Sequence, residues 1–143
     1  RRHRTRIRYD IMELKEALAE IYKAAQEKFS IKETPKLILR EDEENAKGIF
    51  GKTAYYEPAT QKIVLFITNR HPKDICRSFA HELIHHVQNL RGDLEMGDAS
   101  SATYAQDDEH MRSMEMEAYL KGNLLFRDWE DWYKNYRLTN SPK

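Results

Sequence analysis

The run His81-Glu82-Leu83-Ile84-His85 constrains this chain more than any other feature, because a helix turning about 100° per residue brings histidines four apart onto one face. The flanking residues extend that helix. Ile75, Cys76, Phe79, Leu83, Val87 and Leu90 gather on the opposite side of the wheel, so one face is buried. Arg77, Ser78 and Gln88 join the histidines on a polar face that lines a cleft. His71-Pro72 predicts the start of the helix, with Asp74 at the positive end of its dipole. Gly92 predicts its end, and a helix cap explains Arg91-Gly92-Asp93 without any adhesion role.

Two ring nitrogens placed this way can meet one metal ion at about 2.0–2.1 Å. Glu82 lies at the rim of the histidine face, too offset to ligate with them but close enough to serve an activated water as general base. His86 falls beyond the face and is not expected to ligate. A catalytic zinc takes three protein ligands and one open position, so the third ligand comes from another element.

A second helix, predicted from about Asp107 to Phe126, offers Glu109, Glu115 and Glu117. Met111, Ala118, Tyr119, Gly122 and Phe126 fall within about 60° of Glu115, which centres it on the apolar stripe. A buried carboxylate needs a cation, and Ala118 and Gly122 let the helices approach closely. Glu117 points away, with Ser113 and Lys121, in a favourable i, i+4 pair. Glu115 is therefore the expected third ligand, with Glu117, His110 or an acid between residues 93 and 109 as alternatives. Asp93 and Asp108 are candidates to orient an imidazole. Zinc fits such a donor set first, and Co, Mn or Fe can enter similar sites.

The rest of the chain predicts an α+β domain. Ile11, Leu14, Leu18, Ile21 and Ala25 recur at helical spacing after Asp10, a plausible N-cap. Lys36 to Arg40 reads as a short strand, and Glu41 to Glu44 as a solvated loop. Gly51 to Tyr56 and Gln61 to Ile67 read as an antiparallel hairpin around Glu57-Pro58-Ala59-Thr60, the second strand central because it is almost wholly apolar. Asp93 to Gln106 reads as a long surface loop. Trp129, Trp132, Tyr133 and Tyr136 repeat at helical spacing, which favours core packing over a ligand box.

With 143 residues, one domain spanning 1–143 is expected, flanked by a basic arm at 1–9 and an aromatic extension at 127–143. No apolar run reaches membrane-spanning length. Lys+Arg and Asp+Glu number 24 each, so no global field recruits nucleic acid, and only the five arginines within Arg1 to Arg8 suggest such a partner; an unstructured or edge-lying tail is the simpler expectation for them. The single cysteine, Cys76, can form no internal disulfide, which suits a reducing, cytoplasmic setting.

His81-Glu82-Leu83-Ile84-His85 followed by Glu115-Met116-Glu117-Ala118 resembles the gluzincin metallopeptidase pattern, H-E-x-x-H and a later glutamate helix with E-x-x-A. The alanine at 118 agrees with Glu115 as ligand. The resemblance covers about residues 10 to 126 and is closest in scale to short single-domain, often virus-encoded, and ImmA/IrrE-type enzymes. It implies a zincin-like core with an N-terminal helix, a small, mostly antiparallel three-stranded sheet, an active-site helix, a glutamate helix and a C-terminal aromatic helix. It further implies a zinc-dependent endopeptidase acting on polypeptides, with His81, His85 and Glu115 as ligands, Glu82 as general base and acid, and a further donor to the oxyanion, for which Tyr104, His110 and Tyr119 are the candidates. An extended substrate would add to the edge strand at Thr53-Ala54-Tyr55-Tyr56. The competing expectation is a catalytically silent binding or assembly module with a structural zinc, docking through the arginine arm and the Trp129/Trp132 surface.

Overall fold

Ile63, Val64, Leu65 and Phe66 are apolar on both sides of a strand, so the strand they form has to be covered on both edges and both faces. In a computed structural model, which describes residues 2–48, 51–94 and 101–140 and the side chains of 13–48, 51–94 and 108–136, it is the middle strand of three. The element order is α1 (Arg2–Phe29), β1 (Lys36–Arg40), α2 (Glu43–Lys47), β2 (Ala54–Glu57), β3 (Lys62–Phe66), α3 (Pro72–Leu90) and α4 (Ser101–Asn140). The sheet order is β1-β3-β2.

The sheet is mixed rather than mostly antiparallel. β2 pairs with β3 antiparallel, as the hairpin demands, but β1 pairs with β3 parallel, from Lys36 opposite Lys62 to Arg40 opposite Phe66. The connection through α2 causes this. β1 ends beside Phe66 and β2 begins beside Leu65, so the link joins them at one end of the sheet with a strand's width between. β3 returns from the hairpin into that slot and must run alongside β1. The link itself is a short helix where a loop was expected, because the Asp42 carboxylate caps it by accepting from Asn45 N at 2.9 Å.

Ile63 and Leu65 project into a core built with Leu14, Leu18, Ile21 and Ala25 of α1 and Ile75, Phe79 and Leu83 of α3. The predicted spacing along α1 is thus the one that packs, but the helix begins at Arg2 and not at Asp10. No glycine or proline interrupts residues 2–9, and arginine is a good helix former, so the expected tail continues the helix.

α3 matches its predicted limits. His71 caps it by accepting Lys73 N at its Nδ1, and Pro72 occupies the first turn. At the other end Gly92 has φ 87°, Gly92 N donates to Asn89 O and Asp93 N to Gln88 O, the paired bonds of a Schellman cap. Arg70 fixes the helix to the sheet. Its guanidinium donates to the carbonyls of Thr53, Phe66 and Asp74 and to Ser78 Oγ, tying the approach to β2, the end of β3 and the start of α3 together.

The expected glutamate helix and aromatic helix are one. α4 runs unbroken from Ser101 to Asn140, taking in part of the predicted 93–106 loop, because no glycine or proline separates Phe126 from Trp129 and none follows Ser101 for five turns. The remainder of that loop, 95–100, lies outside the described residues. The aromatic stripe divides. Trp129 packs on the core and donates Nε1 to Glu20 of α1 at 3.1 Å, whereas Trp132 and Tyr136 stack on each other in exposed positions. Among the described residues, no helix is long and apolar enough to cross a membrane.

Candidate metal centre

The interval of four residues does on α3 what helical geometry requires: His81 and His85 stand one turn apart with ring centroids 5.0 Å from each other, edge to face. α4 crosses this face closely enough for Glu115 to reach both rings. Its carboxylate lies 3.1 Å from His81 Nε2 and 3.3 Å from His85 Nε2. Each of the three residues offers one donor atom, and these atoms all lie within 4.8 Å of one another. Four ligands arranged tetrahedrally at about 2.0–2.1 Å from zinc are separated by about 3.3 Å, so the two nitrogen–oxygen distances are those of neighbouring ligands. Two imidazoles and one carboxylate are also the chemistry that zinc accepts, with a fourth position open.

Glu115 reaches this point by a different route from the one its wheel position suggests. The buried stripe of α4 runs through Met114, Ala118, Leu125 and Phe126, and Glu115 stands at its edge with a side chain 59% exposed, against 20% for Glu117. Tyr119, expected within the stripe, is exposed as well. Glu115 therefore leans over the cleft side of the helix pair and is not sealed between the helices.

Glu117 is the carboxylate held between α3 and α4. It accepts from Arg91 at 2.7 Å, Lys121 at 2.7 Å and Gln88 at 2.8 Å. The Arg91 bonds, with those from Lys121 and Gln88, hold its carboxyl down to about 2. The expected Glu117–Lys121 pair is present, but it belongs to a helix-to-helix network with Arg91 and Gln88, and Glu117 itself touches neither imidazole.

The cleft beside the triad has a volume of about 860 Å³, and its lining includes Ala54, Tyr55 and Tyr56 of β2, Arg77 and Ser78 of α3 and Asn123 of α4. Glu82 also lines it while remaining buried. Burial, with the charge of Glu115 adding to it and His85 opposing, pushes the Glu82 carboxyl well above the usual carboxylate range. Burial also lowers the His81 ring below its ordinary value, an effect that His85 reinforces and Glu115 opposes, and so favours the neutral form that ligates metals.

The outer groups are not the ones expected. Asp93 bonds to Arg91, and Asp108 pairs with Arg112. The orienting contact to an imidazole comes from Gln88, whose Oε1 lies 2.8 Å from His85 Nδ1. Gln88 is fully buried and does not line the cleft, although its spacing of three from His85 already places the two on neighbouring turns. His86 is fully buried: its Nε2 donates to the Glu33 carbonyl at 2.6 Å and its Nδ1 accepts from Tyr56 OH at 2.7 Å. Of the oxyanion candidates, Tyr119 lines the cleft, His110 is engaged by the Asp93 carbonyl, and the Tyr104 side chain lies outside the described residues. Compared with protein-family models, with curated proteins and with solved structures, the chain matches none.

Proposed function

We propose that this chain is a zinc-dependent endopeptidase of the gluzincin type, with His81, His85 and Glu115 as ligands and Glu82 as general base and acid. One observation carries the reading: a single carboxylate on α4 approaches both α3 imidazoles at the separation of neighbouring zinc ligands. When bound, zinc supplies a Lewis acid for a peptide carbonyl and lowers the pKa of a water molecule.

The chain's own residues do the remainder. Glu82 stands one residue from the first ligand and lines the same cleft, so its carboxylate can take the proton of the attacking water and return it to the departing amine nitrogen. The proton taken from the water is the one delivered to the amine nitrogen as its bond to carbon breaks, so one carboxyl group serves as base and then as acid. β2 is an edge strand bordering the cleft, and its unpaired backbone groups provide a docking edge for an extended polypeptide.

The test joins metal content to turnover. Elemental mass spectrometry of the wild-type chain is expected to find about one zinc per chain, retained in Glu117→Ala and lost in Glu115→Ala. Wild type is expected to cleave a quenched casein substrate. Absence of zinc after loading would overturn the site, and zinc without hydrolysis of any of a broad panel of polypeptides would favour the silent binding module.

A further inference from the structure

Gln88 is a fully buried amide on α3 whose two ends face groups of fixed polarity. Its Nε2 lies 2.9 Å from the Met114 carbonyl oxygen and 2.8 Å from Glu117 Oε1. Both are acceptors, so only the NH2 end of the amide can occupy that side, and both of its hydrogens are used. The oxygen is thereby left facing His85 Nδ1, at 2.8 Å. An amide oxygen donates nothing, which requires the hydrogen to be on Nδ1. A neutral imidazole carries one such hydrogen, and the shorter contact at Nδ1 takes it; the lone pair of His85 then sits on Nε2, where it and the Glu115 carboxylate oxygen 3.3 Å away face each other as two acceptors, the relation of two ligands of one cation and not of a hydrogen-bonded pair.

The neighbouring ring follows the opposite rule. His86 Nε2 faces the Glu33 carbonyl and must donate, so its hydrogen is on Nε2. Two consecutive histidines on one helix are thus set in opposite tautomers by partners of fixed polarity.

The groups holding the amide are also informative. Met114 and Glu117 bracket Glu115 in sequence, and Glu117 is itself anchored by Arg91 and Lys121. The same side chain that orients His85 therefore bonds to the turn of α4 that carries the third proposed ligand.

We propose that Gln88 is a positioning residue that fixes His85 as its Nδ1–H tautomer, with Nε2 free to coordinate, and fastens the Glu115 turn to that ring. Its effect on zinc binding rests on the function proposed above, whereas the tautomer does not. An imidazole held by a directed hydrogen bond is pre-oriented for its metal, and loss of such a partner typically weakens metal binding by about 10–100-fold.

The experiment is 15N NMR of the histidine ring nitrogens in the metal-free chain at pH 8, where neutral rings report their tautomer, on wild type and Gln88→Met. Zinc affinity of both is measured by competition with a chromophoric chelator. Wild-type His85 is expected in the Nδ1–H form and His86 in the Nε2–H form. Gln88→Met, which keeps the length of the side chain without its polar atoms, is expected to lose the Nδ1–H preference and to bind zinc about 10–100-fold more weakly. An Nε2–H form of His85 in wild type overturns the proposal without reference to any variant, including one that fails to fold. Unchanged tautomer and zinc affinity in folded Gln88→Met also overturn it, while leaving the proposed function intact. The expected tautomer in a wild-type chain that binds no zinc supports the orienting role of Gln88 and overturns only the enzyme reading.

Discussion

Gly122 on α4 rests against His81 on α3: a Cβ at position 122 would lie 2.9 Å from His81 Cα and 3.1 Å from its backbone nitrogen. The obstacle is backbone, which cannot rotate aside. The two helices therefore meet backbone against backbone at the turn that carries the first proposed ligand, two turns along α4 from Glu115.

Gly122→Ala sets two effects against each other. Alanine favours a helix interior by about 1 kcal/mol over glycine, while overpacking against a fixed neighbour costs about 1–3 kcal/mol. The second is expected to win, giving a thermal midpoint lower by a few degrees. Zinc affinity should fall with it, because α4 must move away from the imidazoles. A midpoint and an affinity both equal to wild type would show that α4 relieves the contact without moving Glu115.

Glu82→Gln keeps the size of the side chain and removes its ability to take a proton. Zinc content and thermal midpoint are expected to match wild type, while kcat falls by about 10²–10⁴-fold. Turnover within tenfold of wild type would remove Glu82 from the mechanism.

Cys76 lies in the core on the buried face of α3, and burial pushes its thiol up to about 12. At pH 8 only about one thiol in ten thousand is then thiolate. The native chain is expected to resist an aromatic disulfide reagent for an hour and to take up one equivalent in guanidinium. Rapid labelling of the native chain would place Cys76 at the surface.

Glu130 on α4 accepts from Lys73 in the first turn of α3 at 2.9 Å, and this bond holds its carboxyl below the ordinary range. A carboxyl depressed in the folded state adds stability above the unfolded value of about 4.3 and loses it as pH falls through the folded value. Glu130→Gln is accordingly expected to melt a few degrees below wild type at pH 7, with the difference closing in acid below the ordinary range. Melting curves of both proteins between pH 7 and pH 2.5 check the sign, and a gap that widens in acid would refute it.

The histidine pair was legible because a spacing of four has one meaning on a helix, and the two caps of α3 fixed where that helix lay. Glu115 does lie beside both rings, but the reason for choosing it fails: it stands at the edge of the apolar stripe and not at its centre. A wheel gives angles about one axis and not the tilt of the partner helix, which decides where the stripe ends. Gln88 was read as a polar residue of the cleft, since nothing in its own sequence position reveals that Met114 O and Glu117 wait on the other helix. The parallel pairing of β1 was equally out of reach, because it depends on β3 entering a slot that two other strands leave between them.

Length sets α4 apart from every other element of the fold. Forty residues rising about 1.5 Å each make a rod of about 60 Å, while a globule of this chain's mass is about 37 Å across. Such a rod cannot be contained by the body it braces. Trp129 ties it to Glu20 of α1, and one to two turns further on Trp132 and Tyr136, each about half exposed, stack on one another at the surface. The helix therefore sets the long dimension of the protein while one of its middle turns holds Glu115 beside the imidazoles.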